Sequence, residues 1–255
     1  MAITSIRQQV GDVLEPWLER RGVMVPDGAL GALYRCYKFV DLWPLRRLIR
    51  RRVEIGSLAI DVGAHLGFAT RPLALAVGPK GRVIALEPQV ELGTWITETG
   101  ENVRFVNAAA HDKDGCGSLA RGGTFGTDSH VAEHPGPIRL VAIDSMSTEF
   151  EGLRVSFIKV DAQGSEYHVL AGARTILRDH RPDIFIELGE RGLMRAGRTV
   201  DDVMDLLVKA NYRPHKVSMF GARLVGIESV KIAVRRRGYA DYLFVHASRL
   251  SERRS

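Results

Sequence analysis

The sequence predicts an α/β fold on a mostly parallel, doubly wound sheet, and three observations carry that prediction. From Gly56 onward, short apolar runs of strand length alternate with amphipathic stretches of helical period, the pattern of successive βαβ units. The first apolar run ends in an acid and a glycine turn, IDVGAHLGFAT at 60–70, where such a sheet holds a ligand. The chain has 255 residues, 45% of them hydrophobic and 26% charged, which suits one soluble α/β domain with extensions.

Taken in order, residues 1–55 read as a helical extension, with helices expected over 6–20, 29–39 and 44–52. Pro44 is suited to a helix start, and Leu45, Leu48 and Ile49 fall on one face. Residues 56–248 read as the main domain. SLAIDVG, RVIALEP and VRFVNAAA are expected as strands, with a helix after each of the first two. Residues 111–138, rich in Gly, Asp and His, read as an irregular excursion. RLVAID and VSFIKVD follow as strands, SEYHVLAGARTILRD as one helix, PDIFIEL as a strand, and TVDDVMDLLVKAN as a helix capped by Thr199. YRPHKVS and DYLFVHA close the sheet, the last as an antiparallel edge strand. Residues 249–255 read as a flexible basic tail.

Composition narrows the classes. No apolar stretch reaches the roughly 18 residues of a membrane span, and the N-terminus lacks a secretory pattern, so the expectation is a cytoplasmic protein. Cys36 and Cys116 have no metal or redox spacing. The net charge of +6 permits a nucleic-acid partner, but no basic stretch is interleaved with stacking aromatics. Oligomeric state is left open.

The glycine turn is the most informative motif. Asp61 ends the first strand, Gly63 opens the turn and Gly67 lets the next helix approach the sheet. A dinucleotide site would read G-x-G-x-x-G, whereas this turn reads G-A-H-L-G and follows an acid directly. That pattern suits a ligand with a cationic amine and no phosphates, the character of S-adenosylmethionine. Glu87 ends the second strand, where a carboxylate can accept hydrogen bonds from both ribose hydroxyls. Asp61, Gly63, Ala64, His65, Gly67, Thr70, Glu87, Asn107 and Asp161 are therefore the expected cofactor-binding residues.

DVGAHLGFAT, VIALEP, VNAAAHDKDG, LVAIDSM, FIKVDAQGSEYHVLAGARTIL and IFIEL occur in the order and spacing of the FkbM family, which the chain resembles over about 57–190. The resemblance implies a Rossmann-like methyltransferase fold, S-adenosylmethionine as cofactor, and a hydroxyl acceptor on a natural product or sugar. Two departures stand out. His65 replaces the usual Asn, and Gln163 replaces the middle acid of D-x-E-G-x-E.

Methylating a hydroxyl requires positioning and an acceptor for the proton. Asp161, at the end of VSFIKVD, is the leading candidate, with His111 and His168 as alternatives. Asp161 and Glu187, on successive strand ends, form the candidate site for a divalent cation such as Mg²⁺. Lys159 shares a strand face with Asp161 and can neutralise it. His130, His134 and the aromatics Trp17, Tyr34, Tyr37 and Trp43 are candidate acceptor walls. The rival readings are an RNA or protein methyltransferase, a non-catalytic protein retaining the cofactor fold and, weakest, an NAD-dependent oxidoreductase.

Overall fold

The computed structural model describes residues 41–120, 130–132 and 136–251. The expected helices at 6–20 and 29–39, together with Trp17, Tyr34, Tyr37, Cys36 and His134, lie outside the described residues.

Helix α1 (Trp43–Arg52) precedes β1 (Leu58–Val62), α2 (Thr70–Val77), β2 (Arg82–Leu86), a 3-10 turn at Val90–Leu92, α3 (Gly93–Thr97) and β3 (Val103–Val106). After β4 (Ala109–Ala110), β5 (Gly115–Ala120), β6 (His130–Ala132) and β7 (Ile138–Val141), a 3-10 segment at Ile143–Phe150 leads to β8 (Val155–Val160). Then come α4 (Glu166–Ala171), α5 (Arg174–Asp179), β9 (Asp183–Gly189), α6 (Glu190–Arg195), α7 (Val200–Lys209), β10 (Tyr212–Ser218), β11 (Gly221–Leu224), α8 (Ile227–Arg237), β12 (Tyr239–His246) and α9 (Ala247–Ser251).

The main sheet has the order β11-β10-β12-β9-β8-β1-β2-β3. The pairs β1/β2, β2/β3, β1/β8 and β8/β9 are parallel. Strands β1 and β8 are buried along their whole length, as a sheet covered on both faces requires. One face carries Leu58, Ile60, Val62, Ile158, Val160, Ile184 and Ile186 and packs on α4, α5, α7 and α8. The other carries Ala59, Val83, Phe157, Phe185 and Leu243 and packs on Leu45, Leu48 and Ile49 of α1 and Leu73 and Val77 of α2. Helix α1 is thus a layer of the domain core, and the core begins before residue 56.

The expected doubly wound class is the observed one, with several differences in detail. The antiparallel β12 lies inside the sheet, between β9 and β10, and β11 takes the edge, antiparallel to β10. The 111–138 excursion contributes β5 and β6, which join β4 and β7 in a small second sheet. SEYHVLAGARTILRD forms two helices. A Cβ on Gly172 would stand 2.0 Å from the His111 carbonyl oxygen, so the chain bends where it meets the end of β4. Thr199 caps α7 as expected, in a reciprocal capping box with Asp202. The expected tail boundary at 249 falls inside α9. Arg249 is buried and pairs with Glu54 at 2.9 Å and Asp183 at 3.4 Å; residues 252–255 lie outside the described residues.

Candidate functional site

Strand register gathers the site's acids on one face. Asp61 pairs with Ala85 on one side and Lys159 on the other, and Lys159 with Phe185. With a two-residue side-chain period, Asp61, Glu87, Lys159, Asp161 and Glu187 share the face that α1 and α2 cover further back. Asp241 lies opposite Glu187 across β12 and β9 and joins them, which the sequence reading missed.

Gly63 leaves β1 with φ +70°, and a Cβ there would lie 2.0 Å from the backbone oxygen of Asp161. The turns after β1 and β8 are therefore in backbone contact, and only glycine allows it. His65 is also left-handed, at φ +49°. Asn and His are among the residues that tolerate that region, so the exchange relative to the FkbM pattern keeps the turn.

Four of the turn's five backbone N–H groups, all but that of Leu66, are spent within the fold. Gly63 and Ala64 donate to the Leu86 carbonyl at 3.0 and 3.1 Å, Gly67 donates to the Ala64 carbonyl, and His65 donates to Glu87 Oε2 at 2.9 Å. Glu87 Oε1 also accepts from the Gln89 N–H at 3.1 Å. Burial raises the Glu87 pKa, against the pull of these hydrogen bonds and of Lys159.

Asp61 is fully buried. Its Oδ2 accepts from Thr70 Oγ1 at 2.7 Å, and its Oδ1 lies 3.3 Å from Lys159 Nζ. Thr70, expected among the cofactor-binding residues, is itself fully buried and serves Asp61. Lys159 Nζ donates to the Val62 and Gly63 carbonyls at 3.1 and 2.6 Å and stands 3.5 Å from Asp161 Oδ2. Burial pulls the Lys159 pKa down, but Asp61, Asp161 and Glu187 outweigh it and leave the ammonium stabilised. Asn107 is exposed and donates to the Glu87 and Pro88 carbonyls, which fixes the turn after β2.

After Asp161 the backbone makes a tight turn, with Gln163 at φ +50° and Gly164 at φ +111°. Glu166 is buried beneath it, and its Oε1 accepts from the N–H groups of Ala162 and Gly164 at 3.2 and 2.9 Å. Burial pushes the Glu166 carboxyl up to about 7. Sequence reasoning passed over this acid, though it stands five residues beyond Asp161 in the quoted motif.

The two histidine alternatives pair with each other. The rings of His111 and His168 stack at 4.6 Å with planes 9° apart, and their Nδ1 atoms share Asp112 at 2.8 and 3.3 Å. Burial is the largest cause lowering the His111 pKa, and His168 adds to it. The three side chains are the one group of three or more potential metal ligands among the described residues. A separate groove of about 660 Å³ between α5 and α7 is lined by Arg174, Arg178, Arg181, Asp202, Asp205 and Lys209, among others, and by none of the candidate site residues.

Sheet order defines a Rossmann-like doubly wound domain, and the acids described above stand at the carboxyl ends of β1, β2 and β8, the edge at which such sheets take ligands. The methyltransferase FkbM domain matches residues 61–214, more than half of the chain, and the chain belongs to that family. A methyltransferase FkbM from Methylobacillus flagellatus KT is similar in structure at 16% identity and a TM-score of 0.46, over 91% of this chain and 58% of that one. Aeropyrum pernix fibrillarin, solved with natively bound S-adenosyl-L-methionine, is similar at 12% identity and a TM-score of 0.45, over 81% of this chain and 73% of that one. A protein-L-isoaspartate O-methyltransferase from Triticum aestivum is 38% identical over 68 residues, 27% of this chain and 28% of that protein. The chain thus spans under two thirds of the Methylobacillus protein, and its match covers little more than a quarter of the wheat protein. No helix among the described residues is long and apolar enough to cross a membrane.

Proposed function

We propose that the chain binds S-adenosylmethionine between the 63–67 turn, Glu87 and Asp161, and methylates a hydroxyl of a small natural product or sugar. The observation that carries this reading is the donor set of the turn. With the N–H groups of Gly63, Ala64, His65 and Gly67 all used internally, the turn lacks the run of successive donors that a pyrophosphate nest needs. It offers carboxylates instead, and these fit a cationic, phosphate-free adenosyl ligand.

Bound there, S-adenosylmethionine supplies a methyl group activated by its sulfonium. Glu87 Oε2 keeps a lone-pair site for a ribose hydroxyl while the His65 N–H holds it in place. Asp61 works from behind, through Lys159, which fixes the carbonyls of Val62 and Gly63. Asp161 orients the acceptor hydroxyl and takes its proton as the oxygen–methyl bond forms. Lys159 supplies positive charge between Asp61, Asp161 and Glu187, the role otherwise open to a divalent ion at Asp161 and Glu187. His111 and His168, engaged with Asp112, are not assigned the proton.

The test is methyl-labelled S-adenosylmethionine offered with a panel of hydroxylated small molecules. A labelled product is expected, and Asp161→Asn should lower its rate of formation by about 10²–10⁴. Labelling of RNA or protein in place of the panel would favour the rival acceptors.

A further inference from the structure

Gln163 stands at a left-handed backbone position, φ +50°, that few side chains adopt without a reason. Its Nε2 donates to Asp161 Oδ1 at 2.9 Å. The other carboxylate oxygen, Oδ2, faces Lys159 Nζ at 3.5 Å, and that ammonium is already shared with Asp61. The turn cannot drift away from this arrangement. Glu166 clamps the N–H groups on either side of Gln163, and a Cβ on Gly164 would stand 2.4 Å from the Gly192 carbonyl oxygen.

We propose that Gln163 is a positioning residue whose amide takes the place a cation would otherwise fill beside Asp161. It thereby fixes that carboxylate for the acceptor hydroxyl, an inference that rests on the assignment of Asp161 above. The physical reason is charge. A carboxylate at 163 in the same rotamer would touch Asp161, with Glu187 next along the register and one shared ammonium to offset them. Two carboxylates in contact both stay ionised only with a divalent ion between them; without one, the pair takes up a proton. The amide brings a donor and no charge. It therefore orients Asp161, leaves lone pairs for the hydroxyl and removes the need for an ion at that spot.

The experiment uses the full chain with Mn²⁺ as the probe, followed by calorimetry and by the spin signal of the free ion. Wild type is expected to bind Mn²⁺ weakly, and Gln163→Glu at least about tenfold more tightly, because the new carboxylate pair calls for a dication. Asp161→Asn combined with Gln163→Glu should lose that gain. Gln163→Leu serves as the second variant in case Gln163→Glu does not fold. Removing the donor should lower the kcat of methylation by about tenfold or more, because Asp161 loses the contact that aims it, with S-adenosylhomocysteine affinity unchanged. The proposal is overturned if wild type binds Mn²⁺ as tightly as Gln163→Glu and loses it with Asp161→Asn. It is equally overturned if Gln163→Leu turns over at the wild-type kcat. Failure of the underlying assignment reads differently: Asp161→Asn would methylate at the wild-type rate while the Mn²⁺ arms still decide the role of Gln163.

Discussion

Glu87 combines two tasks in one buried side chain. It ties the 63–67 turn to β2 through the His65 N–H and carries the acceptor atoms proposed for the ribose. Glu87→Ala should therefore weaken S-adenosylhomocysteine binding by about 1–3 kcal/mol, the range for leaving polar partners unpaired. Calorimetry on folded variant protein checks this, and unchanged affinity would remove Glu87 from the ligand site. Glu166 gives a prediction in pH. Its carboxyl moves from 4.5 to about 7 on folding, chiefly through burial, so the folded state holds the extra proton between those values. The stability this group contributes is complete below its unfolded pKa and is lost as pH rises through the folded one. At 1.36 kcal/mol per pKa unit the loss is of order 3 kcal/mol across that window. Urea unfolding at about pH 5 and about pH 8 should show wild type losing stability relative to Glu166→Gln. Parallel behaviour of the two proteins would mean the carboxyl is not buried in this state.

At the scale of elements, α9 is tied to the segment after α1 and to the start of β9 at the amino-terminal edge of the sheet. Arg249 of α9 reaches Glu54, after α1, and Asp183, at the start of β9, while Arg52 adds a second contact to Asp183 at 3.3 Å. Arg249 also donates to the carbonyls of Ser156 and Arg181. Arg249→Met should cost about 3–5 kcal/mol, because it leaves the fully buried Asp183 short of a partner. Adding Asp183→Asn should recover part of that loss, since the stranded charge is then gone. A neutral Arg249→Met in chemical denaturation would show that the ion pairs are dispensable. The sequence read Arg249 as the start of a flexible basic tail, because residues 249–255 carry no apolar period and its partners lie about 65 and 195 residues away.

For the whole molecule, the proposed cleft joins three strand ends that come together only in the folded sheet, so its ligand must stabilise folding. S-adenosylhomocysteine at about a hundred times its Kd should add about 2.7 kcal/mol of stability and raise the melting temperature, while NAD and NADP should not. A rise with NAD alone would overturn the adenosyl reading of the turn. Most of the fold that positions this cleft was legible beforehand. Leu58–Val62 and Val155–Val160 are near-continuous apolar runs with an acid just inside or just past their ends, and such runs form strands buried on both faces. Residues 115–120 and 130–132 were not legible as strands. CGSL and its neighbours are weakly apolar; β5 pairs with β7, more than twenty residues away, and β6 has β5 as its partner.

Local chemistry is what the sequence determined by itself. A glycine must stand where β1 turns, an acid at each of several strand ends places carboxylates on one edge, and a Thr three residues before an Asp caps a helix. These follow from backbone sterics and side-chain period, which act over a few residues. Only the tertiary structure decided what each polar group faces. It buried Thr70 against Asp61, stacked His111 on His168, set Glu166 under the 162–164 turn and aimed Gln163 at Asp161. Those outcomes depend on which strands become neighbours and how closely their ends approach. Gly63 against Asp161 and Gly172 against His111 are contacts between segments about a hundred and about sixty residues apart, and packing alone sets them.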